Sequence, residues 1–191
     1  MFSTVSYQAS KEFDPLKELV SSAKKILKES MQLVSYPDEI TVDNWKSLYK
    51  DIDKSNCALL DSVNKKSGVY AILTLNHKNR ITLKYIGQTA SEYSKQRIRA
   101  HLVWRNKITT TGKFTGSKFN EVQAAVVNRR KVYISFVEIK PDALRHYVEE
   151  SLLKYFSPEW NIQQVPEMNG LHRSLCDWDD HLIEDAPESA A

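Results

Sequence analysis

Four side chains in the middle of the sequence are of types that can bind an anion or transfer a proton. Tyr70 ends the tripeptide GVY, and Tyr85 begins the tripeptide YIG, so each tyrosine is two residues from a glycine. The two tripeptides belong to two short apolar runs that a polar segment separates. Arg97 and His101 follow in RIRAH, and a four-residue step places both on one face of a helix. A phenol and an imidazole can orient or transfer a proton, and an arginine is a planar cation of fixed charge.

The apolar pattern predicts the elements that must bring these side chains together. β-Branched and aromatic runs predict strands, and apolar residues at helical spacing predict helices. In chain order the predicted elements are strands 68–75 and 81–89, helices 94–104 and 118–128, strand 131–139 and helix 142–156. This order, β-β-α-α-β-α, predicts an α+β fold with a small antiparallel three-stranded sheet flanked by helices.

The segments on either side of this core differ from it. Residues 1–66 have helical patterns at 13–34, 41–52 and 57–64, and Pro15 suits the first turn of the first helix. Residues 163–191 form an acidic tail with weak periodicity. We therefore predict a helical extension over 1–66, a core over 67–162 and a tail over 163–191.

Positive charge is concentrated within the core. Residues 162–191 hold seven acidic residues and one basic residue, so the other 161 residues carry 26 basic against 17 acidic side chains. Residues 97–131 alone contain nine basic residues and a single acid, Glu121. Such a density produces a field suited to a polyanion, although a solvated basic face is an equally good explanation of charge alone.

Composition excludes several other classes. At 41% hydrophobic and 27% charged residues the chain resembles an ordinary globular protein, and no apolar run has the length of about 18 residues that a membrane span needs. The N-terminus lacks the basic start and apolar stretch of a secretory signal. Cys57 and Cys176 are isolated, which predicts a reducing, cytoplasmic location and no disulfide framework.

The ordered set of motifs resembles the GIY-YIG nuclease superfamily. GVY is followed by KYIG, then by the helix with Arg97 and His101, and then by EESLLKYFSPEWN, in which Glu149 precedes a proline and Asn161. The resemblance covers about residues 67–162. One difference is the valine in GVY. A second is the length between Gly87 and Arg97, which leaves Arg99 as an alternative to Arg97, although the four-residue step to His101 favours Arg97.

The resemblance implies hydrolysis of phosphodiester bonds with one divalent metal ion on Glu149. One carboxylate suits Mg²⁺, or Mn²⁺, that keeps most of its water, and is a poor basis for a two-metal site. Arg97 would hold the scissile phosphate and stabilise its developing charge. The alternatives are an exposed helical glutamate and a surface arginine.

Most of the other motif residues allow more than one role. Tyr70 would act as general base or orient the water, and nearby cations such as Lys84 and Arg97 would have to lower its pKa for the first role. Tyr85 would assist Tyr70 or bind the phosphate, and either tyrosine could instead be a packing residue. His101 could relay a proton, contact phosphate or be structural. Asn161 would secure the chain after the last helix and support Glu149.

The expected DNA contacts come from the basic residues around these motifs. They are Lys84, Arg99, Arg105, Lys107, Lys113, Lys118, Arg129, Arg130 and Lys131.

Compact GIY-YIG type II restriction enzymes resemble this chain most, because no separate DNA-binding module follows the core. We therefore expect a site-specific restriction endonuclease that makes double-strand breaks and acts as a homodimer, at least on DNA. The extension and the loop TTTGKFTGSKFN would supply base contacts, and the apolar stripe of the extension would form the dimer interface or pack within the same chain. A structure-specific or mobile-element nuclease and a non-catalytic DNA-binding protein remain as alternatives.

Overall fold

A computed structural model describes residues 3–6, 15–76, 79–105 and 116–161. Several predictions lie outside these ranges: Lys107, Lys113, residues 109–115 of the loop TTTGKFTGSKFN, Cys176 and the acidic tail. The strands are β1 (Ser3–Ser6), β2 (Gln32–Leu33), β3 (Gly68–Leu75), β4 (Ile81–Thr89) and β5 (Lys131–Lys140). The helices are α1 (Pro15–Glu29), α2 (Trp45–Ser55), α3 (Cys57–Ser62), α4 (Ser94–Leu102), α5 (Phe119–Val127) and α6 (Arg145–Phe156).

The fold is α+β, as predicted, but the prediction of a three-stranded sheet is wrong. The sheet is mixed and has five strands, in the order β1-β5-β3-β4, with β2 also paired to β5. Strands β3, β4 and β5 are antiparallel, whereas β1 runs parallel to β5. The two added strands cover the side of β5 that would otherwise present unpaired N–H and C=O groups. Both come from the segment that was predicted to be only helical.

Helices cover both faces of the sheet. Strand β3 is buried along nearly its whole length, because successive side chains enter opposite cores. Tyr70 and Ile72 point into the core formed with α2, α3, α4 and α5. Val69 and Ala71 point into the core formed with α1 and α6. Side chains on α4 and α6 therefore approach the sheet from opposite faces.

A β-bulge interrupts the pairing of β3 with β4. Ile72 lies opposite Tyr85 and Leu73 lies opposite Leu83, so Lys84 is the extra residue. A bulge shifts the alternation of side chains by one position. Because of this shift, Leu83 and Ile86 both point into the core formed with α1 and α6. Tyr85 points into the core formed with α2, α3, α4 and α5.

The N-terminal extension packs tightly on the rest of the chain. The apolar stripe of α1 (Leu19, Ala23 and Leu27) is buried against the sheet and α6. The indole of Trp45 donates to the carbonyl of Val103 at 2.8 Å, and Tyr36 Oη donates to that of Leu102 at 2.9 Å. These carbonyls lie at the end of α4, where a helix leaves its last acceptors unsatisfied. The extension thus fixes the helix that carries Arg97 and His101.

Among the described residues, the search for a helix with the length and apolarity of a membrane span found none.

Candidate active site

The two motif tyrosines lie side by side on one face of the hairpin. Tyr70 pairs with Gly87 and Ile72 pairs with Tyr85, which places both phenol rings on the α4 side with their centroids 6.0 Å apart. A Cβ atom at Gly87 would lie 2.7 Å from Tyr70 Oη and 2.8 Å from the Tyr85 ring. Gly87 is therefore required by the tyrosine pair itself, because any side chain there would displace a ring.

Gly68, the glycine of GVY, is required for a different reason. A Cβ atom at Gly68 would lie 2.0 Å from the carbonyl oxygen of Val137 on β5. Gly68 thus permits the close approach of two strand backbones, away from the tyrosine rings.

Helix α4 brings two polar groups to the Tyr70 hydroxyl. Arg97 Nε donates to Tyr70 Oη at 3.2 Å, and His101 Nε2 lies 3.0 Å from the same oxygen. The other ring nitrogen of His101 accepts the backbone N–H of Lys118 at 3.2 Å. This acceptor role places the proton of the neutral ring on Nε2, so His101 donates to Tyr70.

Burial keeps His101 and Tyr70 uncharged. Burial, aided by the Arg97 and Lys118 charges, lowers the pKa of His101 to about 3. Burial also raises the pKa of Tyr70 well above its ordinary value, and Arg97 offsets only part of this rise. The expected lowering of the Tyr70 pKa by cations is therefore reversed in direction. Lys84 is moreover paired with Glu159 at 2.5 Å.

Tyr85 completes the cluster on this face. Its hydroxyl is hydrogen-bonded to Tyr70 and to Arg97, and burial raises its pKa. Arg97 is exposed at the surface while it contacts both phenols, and these contacts raise the pKa of its guanidinium further. The cation is thus held at the boundary between the buried tyrosines and solvent.

The structure distinguishes between the two candidate arginines. Arg97 contacts the tyrosines, whereas Arg99 Nε donates to Asp53 on α2 at 2.7 Å. Arg99 is therefore directed to the N-terminal extension and away from the tyrosine pair.

Glu149 reaches the same region from α6. Strand β4 is an edge strand, and its backbone N–H of Gln88 donates to the Glu149 carboxyl group. Burial raises the pKa of Glu149 to about 7, against the opposing effect of Arg97. The Glu149 charge also acts on Tyr85. Groups from both faces of the sheet thus meet around the free edge of β4.

Asn161 binds the edge of β4 at Ile86, two residues before Gln88. Its side chain accepts the Ile86 N–H and donates to the Ile86 carbonyl, both at 2.8 Å, and it is fully buried. The Asn161 side chain thus holds the backbone of β4 at Ile86.

The donor set at Glu149 fits one hard cation held mainly through water. A search of the described residues found no group of three or more histidine, cysteine or acidic side chains that could hold a metal ion. Glu149 is half-buried, and an ion bound beside it would favour its charged form. Its carboxyl group could therefore bind one hard cation such as Mg²⁺ or Mn²⁺.

The predicted DNA-binding residues do not form one patch. Lys118 lies 5.6 Å from the centre of the Tyr85 ring, and Arg105 lies 5.5 Å from that of Phe119. Arg129, Arg130 and Lys131 are exposed at the opposite end of β5, where Lys131 pairs with Leu75. Only part of the basic run therefore lies beside the tyrosine pair.

Two residues of the site, Gln88 and Arg145, were not predicted from the sequence. Arg145 Nε donates to the Gln88 side chain at 2.8 Å, and the Gln88 backbone holds Glu149. Neither residue belongs to a motif, and their contact joins residues 57 positions apart. Only the fold brings them together.

Comparison with known proteins assigns no family. No protein-family model matches the sequence, and no curated protein matches it. The functional hypothesis therefore rests on the residues and their geometry.

Proposed function

We propose that this protein is a metal-dependent endonuclease of the GIY-YIG type that hydrolyses phosphodiester bonds in DNA. The observation that carries the proposal is the convergence of Tyr70, Tyr85, Arg97 and Glu149 at the edge of β4. These residues come from four elements, β3, β4, α4 and α6, and from both faces of the sheet. A structural ion pair or a packed core needs no such combination of two phenols, a surface arginine and a half-buried carboxyl group.

Arg97 is suited to hold the scissile phosphate. Its position is fixed by the hydrogen bond from Nε to Tyr70, and its exposed side is open to an anion. A cation fixed before the reaction stabilises charge that develops on phosphoryl oxygens without reorganising. Tyr85 is hydrogen-bonded to Arg97 but only 1% exposed, so it is suited to position the Arg97 guanidinium rather than to contact the phosphate itself.

Tyr70 is better suited to orient than to remove a proton in its present surroundings. Its oxygen accepts hydrogen bonds from Arg97 and His101, and its raised pKa keeps the phenol neutral. His101 is 2% exposed, so it fixes Tyr70 and has no access to phosphate. We therefore assign to the Tyr70–His101 pair the positioning of Arg97 and Tyr85.

Glu149 would hold the metal ion. When bound, Mg²⁺ supplies positive charge to the phosphoryl group and a water of lowered pKa. The Gln88 N–H fixes the carboxyl group at the strand edge. The raised pKa of Glu149 means that cation binding near neutral pH also displaces a proton.

The finer proposal is a type II restriction endonuclease that acts as a dimer on DNA. Each chain offers one Arg97 and one Glu149, so a double-strand break in one encounter needs two chains in opposite orientation. The apolar stripe of α1 is buried within the chain and cannot also form the interface. The dimer surface must therefore be another part of the protein.

The test is incubation of the full-length protein with varied plasmid DNA and Mg²⁺, followed by sequencing of the ends. Discrete ends are expected, with linear plasmid formed directly. Random nicks would refute the restriction proposal but leave an endonuclease, and a complete lack of cutting would refute both. Sedimentation with and without the cleaved duplex measures association, and monomers on saturating DNA would contradict the dimer.

A further inference from the structure

A cleft lies beside Arg97, and the motif residues do not explain what it is for. It has a volume of about 430 Å³ and lies between the start of α4 and the start of α6. Its walls include Tyr93, Gln96 and Arg97 on one side, and Arg145 and His146 on the other. Sites for small ligands occupy about 300–1,000 Å³, so the cleft has room for one such unit.

The exposed wall of the cleft is aromatic. Tyr93 is 60% exposed, the largest exposed fraction among the bulky apolar side chains that the structure describes. It lies four residues before Arg97, at the end of the turn that leads into α4, and both residues line the cleft. An exposed phenol ring thus lies beside the cation that the proposed mechanism uses.

The inner wall carries a second arginine, Arg145. Arg145 donates to the Gln88 side chain at 2.8 Å and is also paired with Asp142. These contacts keep the Arg145 guanidinium against the floor of the cleft. His146 is exposed beside it, and Arg97 belongs both to the cleft and to the tyrosine cluster. An aromatic lip above cationic walls suits a ligand with a flat ring and an anionic group.

We propose that this cleft binds the nucleotide next to the scissile phosphate of a DNA strand. The phosphate lies at Arg97, and the base, turned out of the duplex stack, lies on the Tyr93 ring. Such stacking tolerates any base, because every base has a π face. The proposal rests on the proposed function, since it makes the cleft a subsite of the same active site. It assigns to Tyr93 the placement of the strand and no part in the chemistry.

The test uses thymidine 3′,5′-bisphosphate as the probe and isothermal titration of the full-length protein. Tyr93→Ala should weaken binding about tenfold, the usual effect of removing one base–aromatic stack. Tyr93→Phe keeps the ring and should bind within about twofold of wild type. Tyr155→Ala is the matched control, because Tyr155 is also exposed, at 58%, but lies at the far end of α6. Equal affinity of wild type and Tyr93→Ala, or no binding at millimolar probe, would overturn the proposal.

The outcome separates this subsite from the nuclease proposal. If wild type cuts DNA and Tyr93→Ala both binds the probe and cuts as wild type does, the subsite is refuted and the nuclease stands. If no DNA is cut but probe binding depends on the Tyr93 ring, the nucleotide cleft stands and the nuclease is refuted.

Discussion

The two ends of the long strands both carry basic residues, yet they differ in what surrounds the charges. At one end, Arg97 is hydrogen-bonded to the buried Tyr70 and lies near Glu149. At the other end, Arg129, Arg130 and Lys131 are exposed on the surface. Lys131 and Phe136, the β5 partner of Tyr70, are five residues apart, or about 17 Å along a strand.

In the proposed mechanism, this difference separates a charge that can stabilise the reacting phosphate from charges that can only attract DNA. A fixed cation against buried groups acts in a medium of low dielectric constant, where its effect on a developing charge is large. Exposed charges are screened by salt and contribute through counterion release. The density of basic residues along the sequence does not distinguish the two, because both ends belong to the same run. The following substitutions test the comparison.

The largest effect is expected at Glu149. Glu149→Ala removes the proposed metal ligand, and cleavage should fall about 10³-fold or more while DNA binding is retained. Plasmid cleavage with Mg²⁺ measures the first and an electrophoretic shift the second. Glu150→Ala is the control, because Glu150 is the exposed neighbour on the same helix. Near-normal cutting by Glu149→Ala would refute the metal assignment.

Arg97 and Arg99 form a matched pair on one helix. Arg97→Ala should reduce the single-turnover rate about 10²- to 10³-fold, because the phosphate loses its fixed cation. Arg99→Ala removes a partly exposed ion pair with Asp53, so about 0–1 kcal/mol of stability should be lost and cutting should change only a few-fold. If Arg99→Ala is the inactive variant, the phosphate lies elsewhere on α4.

Removal of the Tyr70 hydroxyl should have a somewhat smaller effect on cleavage. Tyr70→Phe leaves the donors of Arg97 and His101 without their acceptor, at a cost of about 1–3 kcal/mol of stability. We expect the single-turnover rate to fall about 100-fold while affinity for DNA changes a few-fold.

Tyr36→Phe provides the control for Tyr70→Phe. It likewise removes a single phenol hydroxyl, but the Tyr36 hydroxyl donates to the carbonyl of Leu102 and has no hydrogen bond with Arg97. It should lose stability and keep its cleavage rate in the remaining folded protein. An unchanged rate in Tyr70→Phe would make Tyr70 a packing residue.

The smallest effect on the chemical step is expected at the other end of the strands. Replacing Arg129, Arg130 and Lys131 together by glutamine should leave single-turnover cleavage at saturating DNA unchanged. It should reduce the slope of log affinity against log salt by up to about three phosphate contacts. An unchanged slope would mean that this end is a solvated surface and that DNA does not extend to it.

The sequence predicted the central elements well because each has a strong local pattern. Strands β3 and β4 have the predicted bounds, 68–75 and 81–89. Helix α1 was predicted to extend to residue 34 but ends at Glu29, since Gln32 and Leu33 pair with β5. A strand of two residues has no detectable period, so pairing with a distant strand decides its conformation.

What the sequence determined by itself is the set of residues that can do chemistry and the elements that carry them. The glycine after Tyr85, the four-residue step from Arg97 to His101 and the position of Glu149 in a helix are all local properties. The tertiary structure decided which of these residues meet. It directed Arg97 to Tyr70 and Arg99 to Asp53, and it buried His101 behind the tyrosines.

The reason is that contact and burial depend on residues far apart in the chain. The outer edge of β4 supplies the N–H groups that hold Asn161 and Glu149, and no strand of the described residues pairs with this edge, since β1 and β2 pair with β5 at the other side of the sheet. Burial then sets the protonation of His101, Tyr70 and Glu149 more strongly than the neighbouring charges do. No local pattern of charges along the sequence encodes that burial.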